Sequence, residues 1–137
     1  MQTIPKPLKI DSGSVQVAEC AEELMNAAVS LHKLHLKITG TGSYAAHNAL
    51  KVYEDLPEHA DDLVEQYQGI TEQLITTYPE KAPKILKSVE EAVKYLKDIR
   101  AMIEKLQSTL PYSELVNILD ETKSTIDSAK YKLIFLK

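Results

Sequence analysis

"ITEQLITTYPEKA", residues 70–82, is the stretch that decides how the helices of this chain are connected. Apolar and polar residues alternate along it before Pro79, a pattern typical of extended backbone rather than helix. Residues 70–82 reach roughly 43 Å when extended, whereas a helix over residues 44–68 is roughly 37 Å long. The segment is therefore long enough to cross a helical bundle from one end to the other.

Two helical patterns precede this segment. The first starts from an N-cap at Ser12 or Ser14, and the glycine-bearing turn at residues 39–43 ends it. The second runs from Tyr44 to Gln68, with a bend expected at Pro57 and a stop at Gly69, because proline removes a backbone hydrogen bond. Apolar residues recur every three or four positions in both, which predicts one buried face each. The predicted inward positions are Val17, Ala21, Leu24, Ala28, Leu31, His35 and Ile38, then Ala46, Ala49, Tyr53, Leu56, Ala60, Leu63 and Tyr67.

Two more helical patterns follow the segment. The third helix is expected from Ala82 to Ser108, and Leu110-Pro111 ends it and starts the fourth. Both again repeat apolar residues with helical spacing. Their predicted inward positions are Ile85, Val89, Ala92, Leu96, Ile99, Ile103 and Leu106, then Leu115, Leu119, Thr122, Ile126, Ala129, Leu133 and Leu136.

The loop lengths predict how these helices are arranged. Short loops make helices one and two, and helices three and four, antiparallel hairpins, and the long segment between them predicts a crossover. The predicted fold is all-α, a ferritin-like four-helix bundle at residues 14–137, with residues 1–13 as an extended N-terminal arm. The alternative is an up-down-up-down bundle, which a second helix running on to Thr76 would favour.

Composition narrows the function classes. The chain has 137 residues and a net charge of −4, which argues against a nucleic-acid partner because phosphate binding needs a concentrated basic surface. A single cysteine, Cys20, no leader sequence and no apolar run of membrane-spanning length predict a cytoplasmic protein without a membrane partner. The sequence contains no pattern for acid–base, nucleophilic or phosphate-loop chemistry.

Histidines and carboxylates near the first turn are the candidate site residues. His35 occupies an inward position of the first helix, and His47 lies just across the turn, so the two imidazoles can meet. A packed, hydrogen-bonded histidine is the alternative role for His35. On the second helix, 100° per residue places several acids within about 40° of His47, on the face opposite the core. These acids are Glu54, Glu58, Asp61 and Glu65. Such a face suits a divalent metal, or is simply solvated.

The stretch from His35 to Gly69 resembles the Dps branch of the ferritin-like superfamily, the DNA-binding proteins from starved cells. The resemblance rests on His35 followed by Gly40, on His47 twelve residues later, and on an Asp-x-x-x-Glu pair. That pair is Asp61 with Glu65, or Asp62 with Gln66 in the other alignment; the first keeps both carboxylates but requires a one-residue deletion near Pro57. The chain departs from the Dps pattern at Leu36 and Lys51, and it lacks the short crossover helix.

The chain also resembles a group of small ferritin-like proteins found mainly in bacteriophages. The shared motifs are "SYAAHNAL" at residues 43–50, "YQG" at 67–69 and "YKLIFLK" at 131–137. The resemblance to Dps proteins implies a homo-oligomer that binds iron or another divalent metal between subunits, with ferroxidase activity as a consequence, whereas the resemblance to the phage group supports the fold more than an activity. The implied metal ligands are His35, His47, Asp61 and Glu65, with Glu58 and Asp62 in reserve.

A competing interpretation is a non-enzymatic helical protein of a phage, structural or bound to a phage or host protein, that keeps the bundle without a metal site. A phage origin would place the protein in the host cytoplasm or the virion.

Overall fold

The computed structural model describes residues 12–136, and their regular secondary structure is entirely helical. The predicted four-helix bundle is confirmed, with α1, α3, α4 and α5 as its long helices. Within residues 12–136, no helix combines the length and hydropathy needed to span a bilayer. Most of the predicted arm, residues 1–13, lies outside the described residues. The elements are α1 (Ser12–Lys37), α2 (Tyr44–Ala49), a 3-10 segment (Leu50–Glu54), α3 (Leu56–Thr71), α4 (Val89–Gln107) and α5 (Ser113–Phe135).

The core forms where the predicted apolar faces meet. Most of the predicted inward positions are buried, because the 3.6-residue period brings them to one side of each helix. Cys20 is also buried in α1, and burial, with a smaller contribution from Glu23, raises the pKa of its thiol to about 12. This agrees with a packed thiol rather than a nucleophile. Two predicted positions are wrong, since Ile85 and Leu136 are exposed.

The predicted second helix is broken rather than bent. Residues 44–54 form α2 and the 3-10 segment, and α3 starts afresh with Pro57 in its first turn. Proline fits there because the first turn of a helix has no partner for its backbone N–H groups. The helix also passes the predicted stop at Gly69 and ends at Thr71, and the next residue, Glu72, adopts a left-handed conformation with φ of 57°.

Residues 72–88 have no regular secondary structure and run along α1. Their first part, residues 73–79, lines a cavity with Val15 near the start of α1. Further along, Asn26 donates a 3.0 Å hydrogen bond from Nδ2 to the Lys81 carbonyl, and Lys37 donates one of 3.0 Å from Nζ to the Leu86 carbonyl. The segment therefore travels the length of α1, which confirms the predicted crossover.

The helix neighbours agree with this connectivity. α1 packs against α3 and α4, and α5 packs against the same two helices, so α3 and α4 lie diagonally across the bundle. Thr109 at the end of α4 donates a hydrogen bond of 2.7 Å to Gln16 at the start of α1, which makes those helices antiparallel. α3 and α4 are consequently parallel. This is the arrangement of a bundle with one crossover, and the up-down-up-down alternative is wrong.

The third helix starts later than its apolar pattern predicted. α4 begins at Val89, not Ala82, and the Ser88 hydroxyl accepts a 3.1 Å hydrogen bond from the backbone N–H of Glu91. Pro83 disfavours helical backbone at the residue before it, so an earlier start is costly. In the extended backbone that results, Leu86 is buried in place of the predicted Ile85.

Candidate functional site

The turn between α1 and α2 brings two histidines together. Gly40 adopts a φ of 99°, a conformation that favours glycine, and its carbonyl accepts a 3.1 Å hydrogen bond from the Ser43 N–H. The Ser43 hydroxyl does not cap α2; it donates a 2.6 Å hydrogen bond back to the Thr39 carbonyl. This tight reversal places His47 beside His35, which confirms that the two imidazoles meet.

Each imidazole of the pair is bonded to the backbone of the other residue. Nδ1 of His35 lies 2.6 Å from the His47 carbonyl oxygen, and Nδ1 of His47 lies 3.1 Å from the His35 carbonyl oxygen. The two rings stack with their centres 3.7 Å apart and their planes inclined by 23°. His35 is only 6% exposed. We call this arrangement the histidine clasp, since it ties the end of α1 to α2.

The clasp fixes a proton on Nδ1 of both rings. A carbonyl oxygen only accepts hydrogen bonds, so Nδ1 must carry the proton in His35 and in His47. In a neutral imidazole the proton on Nδ1 leaves a free lone pair on Nε2. Histidines that bind metals typically show this arrangement, with one ring nitrogen donating to a carbonyl or carboxylate and the other facing the metal.

The stacked rings of the clasp do not point at one common position. A metal ion bound by an imidazole lies in the ring plane, about 2 Å from the nitrogen. Planes inclined by 23° and separated by 3.7 Å at the ring centres meet only roughly 9 Å away, well beyond that bond length. As folded, His35 and His47 therefore offer nitrogens to two positions, and sharing a single ion requires one ring to rotate.

Two further aromatic rings extend the clasp toward the surface. The Tyr53 ring centre lies 5.4 Å from that of His35, with the planes tilted. His32 stacks flat on Tyr53, at 3.9 Å between ring centres and 5° between planes, and is exposed. His32 lies three residues before His35 on the same side of α1, and this spacing was the sequence signal that His32 is near the clasp. Sequence reasoning missed the contact between His32 and Tyr53.

The carboxylates lie elsewhere on the same molecule. Asp61 and Glu65 are exposed on α3 and border a depression together with Met25 of α1 and Tyr78 of the crossover. Ten residues of α1 separate Met25 from His35, a rise of about 15 Å. Glu58 and Asp62 are exposed on α3 as well. One chain therefore does not bring the four predicted ligands together, and residues 12–136 contain no group of three or more His, Cys, Asp or Glu side chains placed to hold a metal ion.

A third histidine joins α3 to α5. The buried Thr122 hydroxyl lies 3.2 Å from the Ile118 carbonyl, to which it donates, so it accepts from Nδ1 of His59 at 3.1 Å. Nε2 of the neutral ring then accepts from the Thr125 hydroxyl, also at 3.1 Å. One neutral tautomer satisfies all three bonds. Sequence reasoning missed this network, since an isolated histidine carries no signal for its partners.

The clasp lies at the start of the region that matches a known family. No curated protein and no solved structure matches the chain. Residues 35–133, which include the four predicted ligands, match one family of proteins. Because that match spans most of the chain, the protein belongs to the Family of unknown function (DUF5856).

Proposed function

We propose that this protein is a metal-binding homo-oligomer that holds iron or another divalent metal between copies of the chain. The observation that carries the proposal is the histidine clasp, in which both Nδ1 atoms donate to backbone carbonyls and both Nε2 lone pairs are left available. Fixing the tautomer of two neighbouring imidazoles is what a nitrogen-ligand site requires. The Dps-like sequence pattern agrees with that role.

The carboxylates of this proposal come from another copy of the chain. Asp61 and Glu65 are exposed, and neither forms an ion pair with another residue of the described region. Unpaired surface carboxylates lose little when a cation replaces water around them. His35 and His47 would supply nitrogen and Asp61 and Glu65 oxygen, with Glu58 and Asp62 as neighbours, and such a mixed set suits Fe(II), Mn(II) or Zn(II).

Ferroxidase activity is the enzymatic form of this proposal. With Fe(II) as the substrate, two ions held close together could both give electrons to dioxygen. The chain's own contribution is to hold the ions, and the stacked rings offer nitrogens at two positions rather than one. That step rests on the resemblance to Dps proteins.

Anaerobic titration calorimetry with Fe(II), and in parallel with Zn(II), tests the proposal. The double variant Asp61→Asn/Glu65→Gln removes two charges without changing side-chain size, and we expect it to weaken binding at least about a hundredfold. Glu90→Gln is the matched control, since it removes an exposed charge on α4, diagonally across the bundle from α3. Equal binding by the wild type and the double variant would contradict the proposal, and so would a wild type that binds neither metal. A loss in Asp62→Asn alone would support the other alignment of the carboxylate pair.

A second candidate function is a non-enzymatic helical protein, structural or bound to a phage or host protein. The observation in its favour is that the clasp already satisfies both Nδ1 atoms and packs both rings, so it can be explained as reinforcement of the α1–α2 turn. A metal-free monomer whose properties are unchanged by His47→Ala would support this candidate. Its location in the host cytoplasm or the virion belongs to the same hypothesis.

A further inference from the structure

One face of α1 exposes apolar side chains, while the opposite face of the helix is buried in the core. Met25, Val29 and Leu36 are 37%, 40% and 69% exposed, and His32 lies between the last two and is also exposed. The spacing of four, three and four residues keeps these side chains within about 60° of one another around the helix. It is the spacing of a helix that packs lengthwise on another helix. We call these four residues the α1 strip.

The rest of the chain leaves the α1 strip open. On one side, Met25 borders the depression shared with Asp61 and Glu65 of α3. On the other side, Asn26 bonds to the crossover through the Lys81 carbonyl. The strip is therefore a narrow apolar band between α3 and the crossover, and residues of neither element cover Val29 or Leu36 fully.

The charges beside the strip differ at its two ends. The exposed side chains of Lys33 and Lys37 follow its C-terminal half. Glu22, Asp61 and Glu65 lie beside its N-terminal half. A surface that is basic at one end and acidic at the other is complementary to itself when a second copy packs on it in the opposite direction. Such a two-fold contact uses the same patch on both molecules, which favours a second copy of this chain as the occupant of the strip.

We propose that His32 is a nitrogen ligand of the metal centre and reaches the carboxylates of that second copy. In an antiparallel pairing, the C-terminal half of the strip, which contains His32, lies on the N-terminal half of the partner's strip. This places His32 next to the partner's Asp61 and the partner's Glu65. His32 is exposed, whereas His35 is buried and bonded within the clasp. Stacking on Tyr53 at 5° between planes holds the His32 ring in one orientation without using its nitrogens. This inference rests on the proposed function and adds a residue that the sequence pattern does not assign.

Two substitutions test the strip itself. Light scattering on the full chain should give a dimer or larger assembly for the wild type and a monomer for Val29→Lys, which puts a charge at the centre of the strip. Tyr131→Lys is the matched control, because Tyr131 is 56% exposed but lies on α5, across the bundle from α1, and it should leave the mass unchanged. A Val29→Lys protein with the wild-type mass would overturn the assignment of this surface.

Zn(II) titration tests the ligand. His32→Gln should weaken Zn(II) binding at least about tenfold while the circular dichroism stays at its wild-type value, and loss of the stacking on Tyr53 should lower the thermal midpoint only slightly because His32 is exposed. Lys105→Gln is the control, because Lys105 is also exposed but lies on α4, outside the α1 strip. Wild-type affinity in His32→Gln would overturn the inference. If Asp61→Asn/Glu65→Gln still lost the metal, the proposed function would stand without His32; if the wild type bound no Zn(II), both would fail.

Mixed assemblies test whether the ligands come from two copies. His32→Gln and Asp61→Asn/Glu65→Gln each lack one half of every site when alone. Refolded together in equal amounts, half of the resulting dimers contain one chain of each kind, and each of these has one complete site out of two. About a quarter of the wild-type Zn(II) sites should therefore return. No recovery in mixed assemblies would overturn an arrangement across two copies.

Discussion

The two helical hairpins of this bundle are built differently. The hairpin of α4 and α5 consists of unbroken helices whose core positions are apolar apart from Thr122, and residues 108–112 join them. Its charged contacts lie toward the surface, as in the ion pair at 2.7 Å between Nε of Arg100 and Oδ1 of Asp127. The hairpin of α1 and α3 contains a broken helix and a left-handed Gly40, and it places His35 where the other hairpin uses aliphatic residues.

This difference between the hairpins indicates which core residues the four-helix fold requires and which residues it does not. Burying an imidazole costs free energy unless its nitrogen finds a hydrogen-bond partner, and an aliphatic side chain would avoid that cost. The α4–α5 hairpin shows that mainly aliphatic core positions, without a buried histidine, can build one half of this bundle. The clasp is therefore an addition to the first hairpin, which agrees with a chemical role for its imidazoles.

Truncating one core leucine in each hairpin should give the largest change in stability. Leu119→Ala in α5 and Leu63→Ala in α3 each remove a fully buried side chain, and each should lower the free energy of unfolding by about 2–5 kcal/mol. Urea denaturation followed by circular dichroism measures both. Tyr131→Ala, at a position 56% exposed, should change it by less than about 0.5 kcal/mol. A much smaller loss in Leu63→Ala would mean that the first hairpin is the less tightly packed of the two.

Two substitutions at His35 separate packing from chemistry. His35→Ala leaves a cavity and removes a hydrogen bond, and it should lower the free energy of unfolding by about 2–4 kcal/mol. His35→Leu refills the space with the residue type that the second hairpin uses, and the loss should stay below about 1.5 kcal/mol. Thermal and urea denaturation compare the two. Equal losses in both variants would show that the fold needs the imidazole itself, and would weaken the comparison between the hairpins.

The His59 network should have a smaller effect. Thr122→Val keeps the shape of a fully buried side chain but removes the hydroxyl that bonds Nδ1 of His59, which should cost about 1–2 kcal/mol. Thr122→Ser keeps the hydroxyl and serves as the control for the bond. If Thr122→Ser destabilises the protein more than Thr122→Val in urea denaturation, the methyl group matters more than the hydrogen bond.

The Arg100–Asp127 pair should have the smallest effect, visible mainly in acid. The hydrogen bond that Asp127 accepts from Arg100 holds the pKa of Asp127 below its ordinary value, and Lys130 lowers this pKa to a smaller extent. A lowered pKa in the folded state stabilises the protein above the ordinary aspartate pKa of about 4, and this stabilisation is lost as the pH falls through the lowered pKa. Because both side chains are partly exposed, solvent screens the pair.

Asp127→Asn should therefore make the thermal midpoint fall less steeply as the pH is lowered into the acid range, and it should change the midpoint little at neutral pH. Asp98→Asn, which removes an exposed helix-surface pair with Lys94, is the control. Measuring the thermal midpoint between pH 2 and 7 compares the two variants. If Asp127→Asn keeps the wild-type dependence on acid pH, the Arg100–Asp127 pair does not contribute to the stability of the second hairpin.

The sequence predicted the bundle and its crossover because both depend on simple signals. Helical spacing marks the buried faces, and the alternation in residues 70–82 marks extended backbone. The contact between His35 and His47 was also predictable from helical spacing. His35 is at an inward position near the end of α1, and the short turn that follows keeps His47 close to it.

Other features depend on contacts that the sequence does not reveal. The start of α4 at Val89 is decided by Pro83 and the Ser88 cap against an apolar pattern that continues further back. The two rings of the clasp stack and therefore direct their nitrogens to two positions. This stacking depends on the detailed backbone geometry of the α1–α2 turn. The separation of the clasp from Asp61 and Glu65 follows from where each lies along the bundle, and whether they meet in another copy is a property of the assembly.

Native mass spectrometry of the full chain with added Zn(II) tests the central claim most directly, because one spectrum gives both the assembly and the metal it holds. We expect a dimer or larger assembly with about one metal ion per chain or more, and the metal should disappear in Asp61→Asn/Glu65→Gln while the assembly persists. A metal-free monomer at the same concentrations would contradict a metal site shared between copies.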